Sequence, residues 1–317
     1  MSRKSNDNGR AYEFAYLILI EEMIGSVRKV NIERNSSFYA SKNAWDRMSE
    51  LEKHSFTESA RAGIDTILEL EPLILEENGD ILTALIQPDS EGIVGDVRDI
   101  ILTRDHISWT IGLSVKNNHF AVKHSRLSHR NDFAKSWFGI ECSPKYWSKI
   151  KPIFDYLKVQ KDLGEFWRNL PNKSNDVYIP LLKAFILEVQ TQYLNHGSKI
   201  PTRMVEYLLG NYDFYKLISL ENKKITQTHT YNLRGSLNKA GSKNKPKIII
   251  PRTNLPSRII AMDFKPNSDN TVELYLDEGW SFSFRIHNAS SKVEPSLKFD
   301  VQIIGMPSTI LVLNTKW

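Results

Sequence analysis

Two short apolar stretches carry the residue types best suited to chemistry. In Gly95-Asp-Val-Arg-Asp-Ile-Ile-Leu102 an acid, Asp99, stands at the entrance of an apolar run. A carboxylate there is costly to desolvate unless it meets a cation or a strong hydrogen-bond donor. After a turn, the run from Trp109 to Asn118 sets Ser114 and Lys116 two residues apart. On an extended chain those two share a face, while Leu113 and Val115 point the other way. A lysine that ends an apolar strand beside a carboxylate suits metal-assisted phosphodiester hydrolysis. The carboxylate would hold Mg²⁺, the ion would polarise the phosphate and acidify a water, and the lysine would orient that water or stabilise developing charge. The same pattern equally suits an Asp99–Lys116 ion pair at a sheet edge, so both readings stand at this point. Asp96, three residues before Asp99, falls on the opposite face of a regular strand and can join the site only if the chain bends near Gly95.

Charge distribution points to the kind of partner. Lys and Arg number 42 against 37 Asp and Glu. From Asn222 to Met262, however, there are nine basic residues and no acid, which leaves the remainder at net −4. A second acid-free stretch, His106 to Asn131, carries Lys116, Lys123, Arg126 and Arg130. Local positive density of this kind is the electrostatic footprint of a nucleic-acid binder, although a solvated linker has the same composition. Other chemistries fit poorly. A single cysteine, Cys142, supplies neither a disulfide framework nor a structural zinc site and reads as a buried small hydrophobe. His119, His124 and His129, spaced by five, cannot share one helix face as metal ligands. No glycine-rich phosphate loop or nucleophile elbow is present in the sequence. The longest uninterrupted apolar stretch, Phe14 to Ile20, is far short of a membrane span, and the polar start lacks a secretory core. A cytoplasmic protein without a membrane partner is expected.

The elements that must position these residues alternate along the chain. The apolar spacing predicts a helix from about Arg10 to Met23, with Glu13 on its first turn, and another from Glu58 to Leu75 after the capping signal Ser55-x-x-Glu58, ended by Gly79-Asp80. Ile81–Ile86, Asp99–Leu102 and Ile107–Val115 read as strands. Asn131 to about Ser219 reads as mainly helical, with Trp137, Trp147 and Trp167 supplying core surface. Beyond the basic segment the period becomes two, and Thr271–Leu276, Trp280–Ile286 and Leu297–Ile303 predict a small antiparallel sheet. The expectation is an α/β protein: a mixed sheet flanked by helices and a helical subregion in residues 1–220, then a basic connector and a β-rich module in 221–317.

An acid opening one strand, an x-Lys pair on the next and a helix with a glutamate before them resemble the PD-(D/E)XK nucleases. Longer stretches resemble the HaeIII-type restriction endonucleases: Lys4-Ser-Asn-Asp-Asn-Gly-Arg-Ala-Tyr-Glu13, Gly95-Asp-Val-Arg-Asp-Ile100, Gly112-Leu-Ser-Val-Lys116, His119-Phe-Ala-Val-Lys-His-Ser-Arg-Leu-Ser128, Phe282-Ser-Phe-Arg-Ile-His-Asn-Ala-Ser290 and Lys292-Val-Glu-Pro-Ser-Leu-Lys-Phe-Asp300. The resemblance spans nearly the whole chain. It implies a Mg²⁺-dependent type II enzyme that cuts double-stranded DNA at the palindrome GGCC, alongside a companion DNA methyltransferase. A two-fold symmetric target favours a homodimer. One position departs from the pattern: Ser114 stands where an acid is expected, and a hydroxyl is a poorer Mg²⁺ ligand than a carboxylate. Glu13, matching the glutamate of the first helix, or Asp96 would then supply the charge. That departure also motivates a rival, a DNA-binding protein on a decayed nuclease scaffold. For contact with G·C pairs, Arg126 and Arg130 are candidate readers beside Lys123. Arg285, His287 and Asn288 form a second set on the polar face of the hairpin, and Lys239, Lys243, Lys245 and Lys247 would neutralise phosphates.

Overall fold

The computed structural model describes residues 3–76, 79–88, 96–118, 122 and 125–317. They form two compact units, each assembled from separated segments: residues 1–120, 211–253 and 308–317 in the first, 121–210 and 254–307 in the second. The boundary expected at 220 falls in the turn between two paired strands of the first unit.

The first unit contains α1 (Arg3–Ile24), β1 (Val30–Ile32), α2 (Ser36–Asp46), α3 (Glu50–Leu70), β2 (Leu82–Ile86), β3 (Ile100–Arg104) and β4 (Trp109–Asn117). The second contributes β5 (Ser125–Ser128), α4 (Phe133–Phe138), α5 (Pro144–Asp162), α6 (Ile179–His196) and α7 (Lys199–Leu209). The chain then returns to the first unit for β6 (Phe214–Leu220) and β7 (Ile225–Tyr231) and to the second for β8 (Ile259–Phe264), β9 (Thr271–Leu276), β10 (Ser281–His287) and β11 (Ser296–Gly305). It finishes in the first with β12 (Val312–Lys316).

The first sheet is mixed, with order β1-β2-β3-β4-β6-β7-β12. β1/β2 and β4/β6 are its parallel pairs. Ile111, Leu113, Val115 and Leu217 alternate onto the face that meets Tyr12, Tyr16, Ile20, Phe56 and Ile64 of α1 and α3 in one buried core. Alternation therefore turns Gly112, Ser114, Lys116 and Lys216 to the opposite face.

Three expectations are corrected here. The helix expected from Glu58 begins at Glu50, because Ser49 and Glu52 form a reciprocal capping box two turns earlier, and it stops at Leu70 just before Pro72. The mainly helical stretch expected to reach Ser219 ends at Leu209, where Gly210 closes α7. The next element is β6, a central strand buried along most of its length, whose near-continuous apolar run hides strand alternation. Finally, β12 joins the first sheet rather than the C-terminal module.

The second unit's sheet is antiparallel throughout, order β5-β11-β10-β9-β8. Its apolar face holds Phe284 and Phe299 against Trp137 of α4 and Phe185 of α6, with ring centroids 5.0 to 6.2 Å apart. Trp147 and Trp167 are only half-buried, so Trp137 alone of the three acts as core. Cys142 is buried, which pushes its thiol up. Among the described residues no helix is long and apolar enough to cross a membrane.

Candidate active site

Asp99 sits one residue before β3, and its side chain completes the ladder where the strand has not yet begun. Its backbone N–H donates to the Leu113 carbonyl at 2.8 Å, and its carboxylate Oδ2 accepts the Val115 N–H at 2.8 Å. Ser114 Oγ donates to the same oxygen at 3.2 Å, and Lys116 Nζ lies 2.8 Å from Oδ2 and 3.1 Å from Oδ1. The three residues singled out by spacing thus form one hydrogen-bonded group. The ion pair is part of it, with side chains 19% and 31% exposed for Asp99 and Lys116, which leaves the group open to a substrate.

Behind the group lies a lysine that sequence reading missed. Ser114 pairs with Lys216 on β6, and Lys216 with His229 on β7, so Asp99, Ser114, Lys216 and His229 form a polar row across four strands. Lys216 is buried; burial and the nearby Lys116 lower its pKa to about 7, against an opposing pull from Asp99. Burial and Lys216 together push His229 down to about 4, which keeps it neutral near pH 7. No local signal marks Lys216, because β6 reads as apolar sequence almost a hundred residues after Lys116. Only strand pairing brings it here.

The other proposed ligands are arranged differently. Asp96 is held bidentately by Arg98, with Nε donating to Oδ1 at 2.8 Å and Nη2 to Oδ2 at 2.6 Å. Burial opposes its ionisation, but the Arg98 bonds outweigh that and its pKa is lowered. Glu13 projects half-buried from α1 and accepts a hydrogen bond from Ser41 Oγ of α2 at 3.3 Å. Among the described residues no three acids, histidines or cysteines converge as a ready cage. Mg²⁺ does not require one, since it is commonly held by one or two carboxylates with water and phosphate oxygens completing the shell. A partly exposed carboxylate fixed by a strand end, beside a hydroxyl, supplies the hard oxygen donors that such an ion takes.

The candidate DNA contacts fall into two groups. In the second unit, β5 pairs with β11 and β11 with β10, which aligns Arg126, Lys298 and His287 in one row. Arg285 pairs with Asp300 beside it at 3.0 Å. Two candidate sets far apart in sequence therefore share one polar face. Lys298, which was not anticipated, sits between them, its pKa lowered by burial and Arg126 against the pull of Asp300. Arg126 also meets Glu294 at 3.2 Å. Arg130 is exposed and donates to His129, and Asn288 holds the following turn through Lys292 O at 2.8 Å. Lys123 lies outside the described residues.

The basic segment belongs to the first unit as far as Thr253, and that part is clamped by acids. Asp213 accepts the N–H groups of Arg234 and Ser236 at 2.6 and 2.7 Å. Glu71 accepts the Asn238 N–H at 2.6 Å and the Tyr215 hydroxyl at 2.5 Å, and Glu76 accepts the Ser242 and Lys243 N–H groups. Burial raises Glu71 to about 7. Lys239, Lys243 and Lys245 are exposed, whereas Lys247 pairs with Glu69 at 2.7 Å.

A carboxylate and a lysine joined at the mouth of a mixed sheet, beside clamped basic loops, are the residue types that phosphodiester chemistry uses. The chain belongs to the HaeIII restriction endonuclease family, whose sequence model matches residues 9–307. It is 55% identical over 317 residues to the type II restriction enzyme HaeIII of Haemophilus aegyptius, covering 100% of this chain and 99% of that protein. No solved structure matches it. The chain is accordingly a site-specific deoxyribonuclease, and the binding-only alternative raised by Ser114 gives way to an enzyme.

Proposed function

We propose that the chain is a type II restriction endonuclease of PD-(D/E)XK type that hydrolyses phosphodiester bonds of double-stranded DNA with Mg²⁺ at the palindrome GGCC. The observation that carries this reading is the joint anchoring of Lys116 Nζ, Ser114 Oγ and the Val115 N–H on the Asp99 carboxylate, in a member of a restriction endonuclease family. Asp99 would hold the ion, with Glu13 from α1 supplying the charge that Ser114 lacks. Asp96 is assigned to orienting Arg98. A bound Mg²⁺ supplies Lewis acidity at the scissile phosphate and lowers the pKa of an attacking water. Lys116 is close enough to Asp99 to direct a water toward phosphorus and to stabilise the charge that builds on the phosphate. Ser114 fixes the carboxylate rotamer by donating to it.

The Arg126–Lys298–His287 row, with Arg285, Arg130 and Asn288, is the proposed reading and gripping surface, and Lys123 is proposed from the sequence as a further DNA contact. Lys239, Lys243 and Lys245 are proposed phosphate contacts. The two-fold symmetry of the proposed target supports a homodimer with one active site for each strand. A companion methyltransferase is proposed because a cell holding such an enzyme needs its own copies of the sequence protected, and a cytoplasmic location because that is where the DNA to be cut is met. The test is incubation of purified protein with plasmid in Mg²⁺ or EDTA, followed by sequencing of fragment ends. Metal-dependent fragments ending within GGCC are expected from wild type and none from Asp99→Ala. Cleavage by Asp99→Ala would sink the assignment.

A further inference from the structure

Beside the Asp99 group, on the same face of β4, the first unit contains a cavity of about 400 Å³ lined by Arg98, Thr110, Tyr212, Asp213, Ser236 and Lys239, among others. Its geometry is built around Arg98. The stem of that side chain lies on Gly112, where a Cβ would come within 1.9 Å of Arg98 Cδ, so only glycine leaves room for it. Its guanidinium carbon stands 3.9 Å from the centre of the Tyr212 ring. Nε and one Nη2 hydrogen go to Asp96, and this fork pairing fixes the guanidinium plane, while among the described residues the rest of the fork meets no other side-chain or backbone acceptor. On the other side Lys239 is held at the rim by its own loop. Asp213 grips Arg234 and Ser236, and Glu71 grips Asn238 immediately before it. Asp213 is the acid in the cavity lining, and its oxygens are already occupied by two backbone N–H groups and the Ser236 hydroxyl at 2.8 Å. The cavity therefore offers the Arg98 guanidinium, held in place by its ion pair with Asp96, the exposed Lys239, the Thr110 hydroxyl and a half-exposed tyrosine ring, while the Ser236 hydroxyl and the Asp213 carboxylate are spent on each other.

We propose that this cavity binds one backbone phosphate of the strand being cut, a neighbour of the scissile phosphate, with Arg98 and Lys239 on its oxygens and its deoxyribose against Tyr212. The distance supports a neighbour rather than a remote contact. Gly112 and Ser114 are two residues apart on one face of β4, about 7 Å along the strand. Phosphate contacts fix register without reading sequence, so a clamp next to the site would set which bond enters it. This inference rests on the assignment of Asp99 and Lys116 as the site of cleavage, and the test separates the two.

Binding is measured in EDTA with GGCC duplexes in which each phosphate within three of the cut is replaced in turn by uncharged methylphosphonate. Wild type should lose about tenfold or more at one such phosphate, the scale of a lost charge-assisted contact. In Lys239→Gln, a surface change, and in Arg98→Met that loss should fall to about twofold or less, while losses at other phosphates persist. The loss should also persist in Asp99→Ala, which is expected not to cleave. A loss at that phosphate unchanged in both variants, or no sensitive phosphate beside the cut in wild type, would overturn the clamp. Cleavage by Asp99→Ala would instead refute the catalytic assignment and leave the phosphate result standing.

Discussion

At the scale of single residues, the site is an acid used as a structural acceptor and a chemical group at once. Asp99 takes the Val115 N–H that a longer β3 would have taken, so its position is set by the sheet rather than by side-chain chance. Lys116→Ala should abolish cleavage while leaving binding of GGCC duplex within a few-fold, since the lysine is proposed to act on the reacting atoms whereas affinity comes mainly from phosphate and base contacts. Comparing single-turnover rates with duplex affinity checks this. Glu13→Gln distinguishes a ligand from an ordinary helix residue. The first case requires a rate lower by orders of magnitude and a Mg²⁺ midpoint shifted upward, whereas a wild-type metal titration refutes the role. Lys216 gives a pH signature. Its pKa is 10.5 ordinarily and about 7 in the fold, so between those values the unfolded chain holds a proton the folded protein has released. Stability from this group therefore rises with pH across that window, and the cost of burying its charge is fully present below it. Lys216→Met should be most stable relative to wild type at about pH 6, and that advantage should shrink steadily above about pH 7 and vanish only near pH 10.5, as read from urea midpoints. The sequence disclosed Asp99, Ser114 and Lys116 because an i, i+2 relation on a strand is local. It could not disclose Lys216, whose place depends on a parallel pairing between distant strands.

At the scale of elements, the basic segment is the clearest case of composition read correctly and organisation missed. Its charge density was visible, but its order comes from Glu71 and Glu76, just beyond the end of α3, and from Asp213, none of which lies within it. Lys247 is already engaged by Glu69, so three of the four candidate lysines remain for phosphate. Changing Lys239, Lys243 and Lys245 to Gln should lower the slope of log K against log[salt] by about 2.7, equally for GGCC and scrambled duplexes. Adding Lys247→Gln should change it little. An unchanged slope in the triple variant would remove the segment from the DNA interface. The helix start was misread for a related reason: the Ser-x-x-Glu pattern occurs at Ser49 and again at Ser55, and only the earlier one has both reciprocal bonds. β9, β10 and β11 were legible because one face of each is apolar and the other polar, whereas β8 and β12, largely exposed, were not read. Buried on both faces, β6 gave no such contrast.

At the scale of the molecule, the fold class was legible and the threading was not, because the order of apolar and polar residues does not say which sheet a strand will join. If the enzyme works on its palindrome as a symmetric pair, sedimentation should give about twice the 36.6 kDa of the chain, and both strands of a site should be cut in one binding event. Accumulation of nicked plasmid by a monomer would exclude that arrangement. The placement of β12 bears on timing. Val312 pairs with His229 at the far end of the polar row, across a gap that contains β8 to β11. During translation, β7 must wait with an open edge until the ribosome has made every strand of the other sheet. Nascent chains stalled before residue 308 should therefore fail to cleave added DNA, whereas chains that include β12 should cut it. A nuclease assembled in this order becomes competent only after the strands of both sheets have been made, which would give a growing cell an interval in which newly made enzyme is harmless.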